Sequence, residues 1–352
     1  MAKPLKSVIG VDLGRYALKS VLLQRRGAGR IAITHFASRP LAQPAETSEQ
    51  IEVELKALFK EMGGSAKSCS VGISSSDTIL RIIEQPDTPP ALLRDALRLN
   101  GMALLNQDCR DFVLDCDRIA EPLAPATTEG GAPAPAPSGG AKKFLVGGVR
   151  RTQLNEIAAA VEGASSGIGA LQLAPVCLFN AFEFAHPTVF NEQPFFLVDI
   201  GHTSSTMMLG AKRELVLVRT IEFGGHGLLS ALMDLSGETR EAVLTALDQE
   251  DEVMVENTRM ALGALTREIG SSIGFFEGRR EETIGRIYVS GGAAKSPTLL
   301  KVMSEEIHMP CEAWSPLESC EIEVAAHKRE GFAQHALDLH VACGAAAELL
   351  NA

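Results

Sequence analysis

Apolar residues along this chain recur in two rhythms, one alternating or continuous over short runs, the other helical. Residues 7–13, SVIGVDL, are a short apolar run rich in β-branched side chains, and Lys19–Gln24 and Arg30–Phe36 follow it with Gly27 to Gly29 between them. Strand, turn and strand are expected there in succession. Ser48–Met62 switches to helical spacing, with Ile51, Leu55, Leu58 and Phe59 on one face. Ser70–Ile73 and Thr78–Gln85 read as strands, and Pro89–Leu105 as a helix opened by a threonine and two prolines. Phe112–Ile119 and Lys143–Val149 are strand-like and flank residues 121–143, a Pro/Ala/Gly-rich stretch. So few large apolar side chains cannot offset the entropy of ordering, so a flexible loop is expected, set inside one subdomain as the loop of a long hairpin.

The second half repeats the plan. Gln153–Glu162 has helical spacing. Phe195–Asp199, Ser205–Leu209 and Leu215–Phe223 then read as strands, and two or three helices are expected from His226 to about Thr283. Ile287–Ser290 is a strand running into Gly291 and Gly292, Ser296–Glu306 the helix after it, and Leu337–Leu350 an Ala-rich last helix. A strand-rich block followed by helices thus occurs twice, from residue 7 and from residue 195, which implies an internally duplicated α/β architecture.

Composition narrows the function classes. The 352 residues are enough for two domains at roughly 150 residues each. Aromatic residues make up 5% of the chain, too few for a ring-stacking surface for sugars or single-stranded nucleic acid. The net charge is −11 and no basic cluster stands out, so no nucleic acid partner is expected. Seven cysteines without a Cys-x-x-Cys pair read as free thiols in a reducing compartment. With no signal-peptide h-region and no apolar run long enough for a bilayer, a soluble cytoplasmic protein without direct membrane insertion is expected.

Each duplicated block opens with a strand, an aspartate and, two positions on, a glycine: Asp12 and Gly14 in the first, Asp199 and Gly201 in the second. A carboxylate at a strand end holds magnesium through water, and a glycine in the turn lets backbone N–H groups approach phosphate oxygens. Two such hairpins facing each other would clamp a polyphosphate, with Lys19 reaching it as a point charge. Gly291, Gly292 and Ala293 close a third strand, where a purine or ribose can lie against bare backbone. Lys295–Ser296 after Ala294 does not make a Walker loop, which needs Gly-Lys-Ser/Thr. His202 and Thr203 sit in the second turn; with no Ser/His/Asp or Cys/His set around it, His202 reads as a neighbour of phosphate rather than a catalytic base. His226 reads as part of a helix N-cap region and the acidic run Asp248–Glu252 as a solvated helix face.

In order and spacing these three elements resemble the phosphate and adenosine motifs of the actin, Hsp70 and sugar-kinase superfamily. Within it the chain most resembles the PilM family, cytoplasmic actin-like proteins of type IV pilus assembly. The stretches VIGVDLGRYALKSVLL, FLVDIGHTSSTMML, RTIEFGGHGL, EIGSSIGFFEGRREETIGRIYVSGGAAKSPTL and HVACGAAAELL carry that resemblance. CSVGISSSDTILRIIEQPDTPPALLRDALRLN is similar to the start of the small inserted subdomain of PilM and FtsA. The resemblance implies an actin-like, ribonuclease H-like duplicated two-domain α/β fold. One large subdomain would comprise residues 1–75 and 152–194, closed by a C-terminal helix at 335–352. Residues 76–151 would form the inserted subdomain, 195–225 with 285–334 the second large subdomain, and 226–284 a helical one.

The resemblance also implies ATP or ADP with Mg in the interdomain cleft, held by Asp12, Gly14, Arg15, Lys19, Asp199, Gly201, His202, Thr203, Glu268, Gly291, Gly292 and Ala293, the metal on Asp12 and Asp199 through water. It implies a docked partner, the N-terminal cytoplasmic tail of a PilN-like membrane protein, in a groove that includes Ile82, Leu93, Leu97 and Leu104; pilus motor ATPases are further expected partners. The sequence departs from the family pattern after Gly14, where Arg15 and Tyr16 replace the usual small hydroxyl residue. Gln172 stands where hydrolytic members orient water, and at most a slow ATPase is expected. The competing readings are a small-molecule kinase of the same fold, for which no aspartate is found between residues 163 and 198, and an FtsA-like division protein, whose basic membrane helix has no counterpart at AAELLNA.

Overall fold

The computed structural model describes residues 5–75, 77–120, 141–164 and 167–351. The chain starts with a three-stranded meander, β1 (Ser7–Leu13), β2 (Ala17–Arg25) and β3 (Ile31–Pro40). Helix α1 (Ser48–Met62) begins at a reciprocal cap, in which Thr47 accepts from the Gln50 amide and the Gln50 side chain reaches back to the cap, and it stops at Gly63 in a left-handed conformation. Strand β4 (Cys69–Ile73) then pairs parallel to β1.

A three-stranded antiparallel sheet interrupts this lobe. Its strands are β5 (Ile79–Gln85), β6 (Phe112–Arg118) and β7 (Lys142–Arg150), in the order β5-β7-β6, with α2 (Pro90–Leu105) packed on one face. The expected flexible loop at 121–143 falls on residues 121–140, outside the described ones. Its last two residues are corrected: Lys142 and Lys143 open β7, where Lys143 Nζ lies 2.7 Å from a Glu214 carboxylate oxygen.

The first lobe resumes with α3 (Arg151–Ala164), β8 (Ile168–Leu173), α4 (Ala174–Ala185) and α5 (Pro187–Glu192). The second lobe follows: β9 (Pro194–Ile200), β10 (Ser205–Ala211), β11 (Glu214–Ile221), α6 (Gly225–Ser236), α7 (Arg240–Gln249), α8 (Glu252–Arg280), β12 (Ile287–Ser290), α9 (Pro297–Ile307) and β13 (Cys311–Ala313). The chain finally crosses back through β14 (Glu321–Ile322), α10 (Arg329–His335) and α11 (His340–Asn351).

The two large sheets run β14-β3-β2-β1-β4-β8 and β11-β10-β9-β12-β13. In both, an antiparallel meander is extended by parallel strands on the side of its first strand, so β1 and β9 are equivalent interior strands. This is the internally duplicated α/β architecture expected from the repeat. Strands β8, β13 and β14 and helices α4, α5 and α10 go beyond the sequence reading. The last helix starts at His340, after a 3-10 turn at Ala336–Asp338, rather than at Leu337.

Helix α11 lies so close to the first sheet that only bare backbone fits. A Cβ on Gly10 would sit 1.9 Å from the Ala342 carbonyl oxygen, and one on Gly344 would sit 1.7 Å from that of Cys177. The small residues of VACGAAAELL are what let this helix seal β1 and α4. A separate apolar cluster joins the inserted unit, α4 of the first lobe and the second sheet, with Ile119 of the inserted unit, Phe182 of α4, and Phe195, Met208 and Tyr288 of the second lobe. All seven cysteines are free thiols, and among them only Cys320 is more than slightly exposed.

Candidate functional site

Strands β1 and β9 each carry an aspartate one residue before their end, Asp12 and Asp199, and both line one cleft. Asp12 lies opposite Lys19 in the β1–β2 ladder, and Lys19 Nζ is 2.9 Å from Asp12 Oδ2. The other oxygen, Oδ1, is buried without a hydrogen-bond partner. Burial alone would depress the Lys19 ammonium; the Asp12 carboxylate outweighs it, with Asp338 and Asp199 adding, so its pKa rises. Asp199 lies beside Ser290 in the parallel β9–β12 pairing and accepts from its hydroxyl at 2.8 Å. Burial raises the pKa of the Asp199 carboxyl against the opposing pull of Ser290 and Lys19.

Glycines fix the backbone around these groups. Gly291 has φ +86°, and a Cβ there would sit 2.2 Å from the Ile200 carbonyl oxygen, so the third motif can approach the second only as glycine. The Gly201 amide donates to the Ser204 carbonyl at 3.0 Å, closing the second turn. The amides of Gly225 and His226 donate to the Gly201 and His202 carbonyls, both at 2.8 Å, which seats the start of α6 on that turn. A Cβ on Gly224 would be 2.6 Å from the Gly201 oxygen.

The cleft between the lobes has a volume of about 1240 Å³. Of the residues singled out in the sequence, Asp12, Gly14, Arg15, Lys19, Asp199, Gly201, His202, Thr203, Gly291, Gly292 and Ala293 all line it. Glu268 does not: its side chain is half exposed on α8, 3.7 Å from Arg219 of β11, because that face of the long helix looks away from the cleft. Sequence reading also missed lining residues. Arg240 and Leu244 of α7 form a wall, and Lys295 and Asp338, which are ion-paired, stand beside the buried His340. No spacing signal marks α7, whereas Lys295 stands three residues after the glycine pair. Arg15 lies 3.7 Å from Glu46, which also lines the cleft. Tyr16 reaches across to the second turn, its ring centroid 4.0 Å from that of His202, and His202 in turn stacks on His226 at 5.3 Å. Burial, His226 and Arg240 hold His202 below the usual histidine range.

Gln172 is engaged outside the cleft lining. Its amide nitrogen donates to Ser70 Oγ at 3.0 Å and to Glu348 at 3.1 Å, while Asn180 donates to its oxygen. The four apolar residues expected in a partner groove divide. Leu93 and Leu97 are 3% and 0% exposed inside the core of the inserted unit and present no surface, which corrects their placement in a groove. Ile82 and Leu104 are half-buried. The exposed apolar side chains of α2 are instead Leu92, Leu99 and Met102.

Among the described residues no helix is long and apolar enough to cross a membrane, and no three His, Cys, Asp or Glu residues converge as a metal centre. The cleft presents Asp12 and Asp199 on equivalent strands, Lys19 beside Asp12, the Lys295–Asp338 ion pair and three glycine-built turns.

Residues 143–349 match the family described as type IV pilus assembly protein PilM. Against curated protein sequences the chain has no significant match. Among solved structures it is similar to a PilM–PilN type IV pilus biogenesis complex, at TM-score 0.77 and 21% identity over 99% of each chain. It also resembles the nucleotide-free form of a diol dehydratase-reactivating factor, at TM-score 0.57 and 8% identity, over 99% of this chain and 100% of that one. Ethanolamine utilization protein EutJ from Carboxydothermus hydrogenoformans overlaps at TM-score 0.50 and 13% identity, over 98% and 89% of the two chains. The fold is actin-like.

Proposed function

The chain belongs to the PilM family of type IV pilus assembly proteins, and from that premise we propose that it is an actin-like scaffold whose cleft holds ADP or ATP with magnesium. The observation that carries this reading is the pairing of Asp12 and Asp199 near the ends of equivalent strands, with Lys19 between the lobes. The residues suit the group. Asp12 Oδ1 is buried and lacks a partner, as a carboxylate oxygen awaiting a hydrated cation would be, and Gly201, Gly224 and Gly291 leave backbone where any Cβ would collide. Magnesium would be held by Asp12 and Asp199 through water and would neutralise phosphate charge. Lys19 would share that charge, and Gly291 to Ala293 would take the ribose and base side. Gln172 is held by Ser70 and Glu348, so little phosphate release is expected.

The second part of the proposal is a partner: the short cytoplasmic tail of a PilN-like membrane protein, docked along the border of the inserted unit and the first lobe near Ile82 and Leu104, bringing the scaffold to the inner membrane. Nucleotide would bias the lobes between open and closed arrangements and so tune that docking. No observation favours the kinase or division-protein alternatives.

Thermal unfolding with and without magnesium-nucleotide, with phosphate release followed in the same tubes, tests the first part. A ligand at about 100 times its Kd adds about 2.7 kcal/mol to stability. The expected result is an upward shift in Tm that disappears in Asp199→Ala, with little phosphate released. Absence of any shift at millimolar nucleotide sinks the nucleotide reading. A tail peptide whose Kd is the same with and without nucleotide would remove the coupling.

A further inference from the structure

The ring contact between Tyr16 and His202 joins the two turns that face each other across the cleft, one from each lobe. Its neighbours hold it there. Gly14 lets the first turn fold tightly, since a Cβ at that position would be 2.5 Å from the Ala17 carbonyl oxygen. His202 is backed by the His226 ring, and its own carbonyl accepts from the His226 amide. Arg15, the charged residue of the same turn, pairs with Glu46 at 3.7 Å, and Tyr16 makes the ring contact across the gap.

Centroids 4.0 Å apart are in van der Waals contact, so nothing the size of a phosphoryl group passes between the rings. Leu244, Leu247, Leu299 and the Gly291–Gly292 backbone give one part of the cleft an apolar lining, and on the nucleotide reading the base and ribose would lie there. On the nucleotide reading, a phosphate chain entering from that end would run toward Asp12, Lys19 and Asp199, and its outermost group would meet the two facing turns.

We propose that Tyr16 is a specificity-determining residue: by closing on His202 it makes the cleft select a nucleoside diphosphate over a triphosphate. Two phosphates fit on the near side of the ring pair, whereas a third requires the rings to part and the lobes with them. This rests on the nucleotide-binding reading above. The selectivity is a difference of two affinities, built by obstruction of the larger ligand rather than by new contacts to the smaller one.

The test is calorimetric titration of the nucleotide-stripped full chain with magnesium-ADP and, separately, with the magnesium complex of a non-hydrolysable ATP analogue, for the wild type, Tyr16→Phe and Tyr16→Ser. The wild type should bind the diphosphate at least about tenfold more tightly, and Tyr16→Phe, which keeps the ring, should retain that ratio. Tyr16→Ser should bring the two within about threefold by tightening the triphosphate while the diphosphate stays put, which also shows that the variant is folded. Equal affinities in the wild type, or an unchanged ratio in Tyr16→Ser, overturn the proposal while leaving the site reading intact. Binding of neither ligand to any of the three chains overturns both.

Discussion

Single side chains set the electrostatics of the interlobe cleft. His340 is the clearest case. It is buried, it bonds through Nε2 to the Trp314 carbonyl at 2.8 Å, and burial depresses its pKa to about 4. A histidine with a depressed folded-state pKa contributes stability that is present above its unfolded value, near 6.5, and is lost as pH falls toward the folded one. At about 1.4 kcal/mol per pH unit, His340 should cost the fold about 3 kcal/mol by pH 4. His35, His186 and His202 are also depressed, chiefly by burial, and act in the same direction. Urea unfolding between pH 7 and pH 4 should therefore show a steep acid limb that is visibly shallower in His340→Gln. An unchanged limb would mean that His340 is not the main titrating group. Lys19 behaves oppositely: its raised pKa keeps its contribution intact below the ordinary lysine range and places any loss above it, as pH rises through the folded value.

Elements with strong periodicity were legible in the sequence, and those made of unusual contacts were not. Helix α1 has the bounds that its spacing predicts, although Met62 rather than Phe59 completes its buried face. The glycine turns were visible as chemistry because Asp-x-Gly recurs. Strand β8 and helix α4 were not, since ALQLAPVCLFNAF is apolar but for Gln172 and Asn180 and gives no period to read. Helix α2 shows the limit most plainly: its apolar residues occupy two faces, and composition alone does not say that Leu93 and Leu97 face in while Leu92 and Leu99 face out. Helix α11 was seen as Ala-rich, but its tight seat was not. Propensity favours alanine over glycine in a helix by about 1 kcal/mol. At Gly344 the sign should reverse, because the added Cβ would overlap the Cys177 carbonyl. Gly344→Ala should lose about 3 kcal/mol in denaturant melts; a gain would show that α11 moves aside cheaply.

At the scale of the molecule, the inserted unit is tied to the second lobe as well as to the first. Glu214, buried at the start of β11, accepts from Lys143 of β7 at 2.7 Å and from Arg280 at the end of α8 at 2.6 Å. One carboxylate thus links the inserted sheet, the second sheet and its helical layer. Removing it leaves two partly buried cations facing each other. Glu214→Ala should cost about 2 kcal/mol and speed amide exchange along β7 more than along β1. Uniform exchange changes would instead make Glu214 a local contact with no part in joining the units. Such a tie gives a physical route from the cleft to the surface where a partner tail is proposed to dock, since lobe movement displaces β11 and with it Lys143.

The central claim is that the cleft between Asp12 and Asp199 is a nucleotide site, and titration calorimetry of magnesium-ADP into the full chain addresses it most directly. The account predicts saturable binding of one nucleotide per chain, lost in Asp199→Ala while that variant still unfolds cooperatively. Heats that stay at the level of dilution up to millimolar nucleotide, or binding that survives in Asp199→Ala, would contradict it.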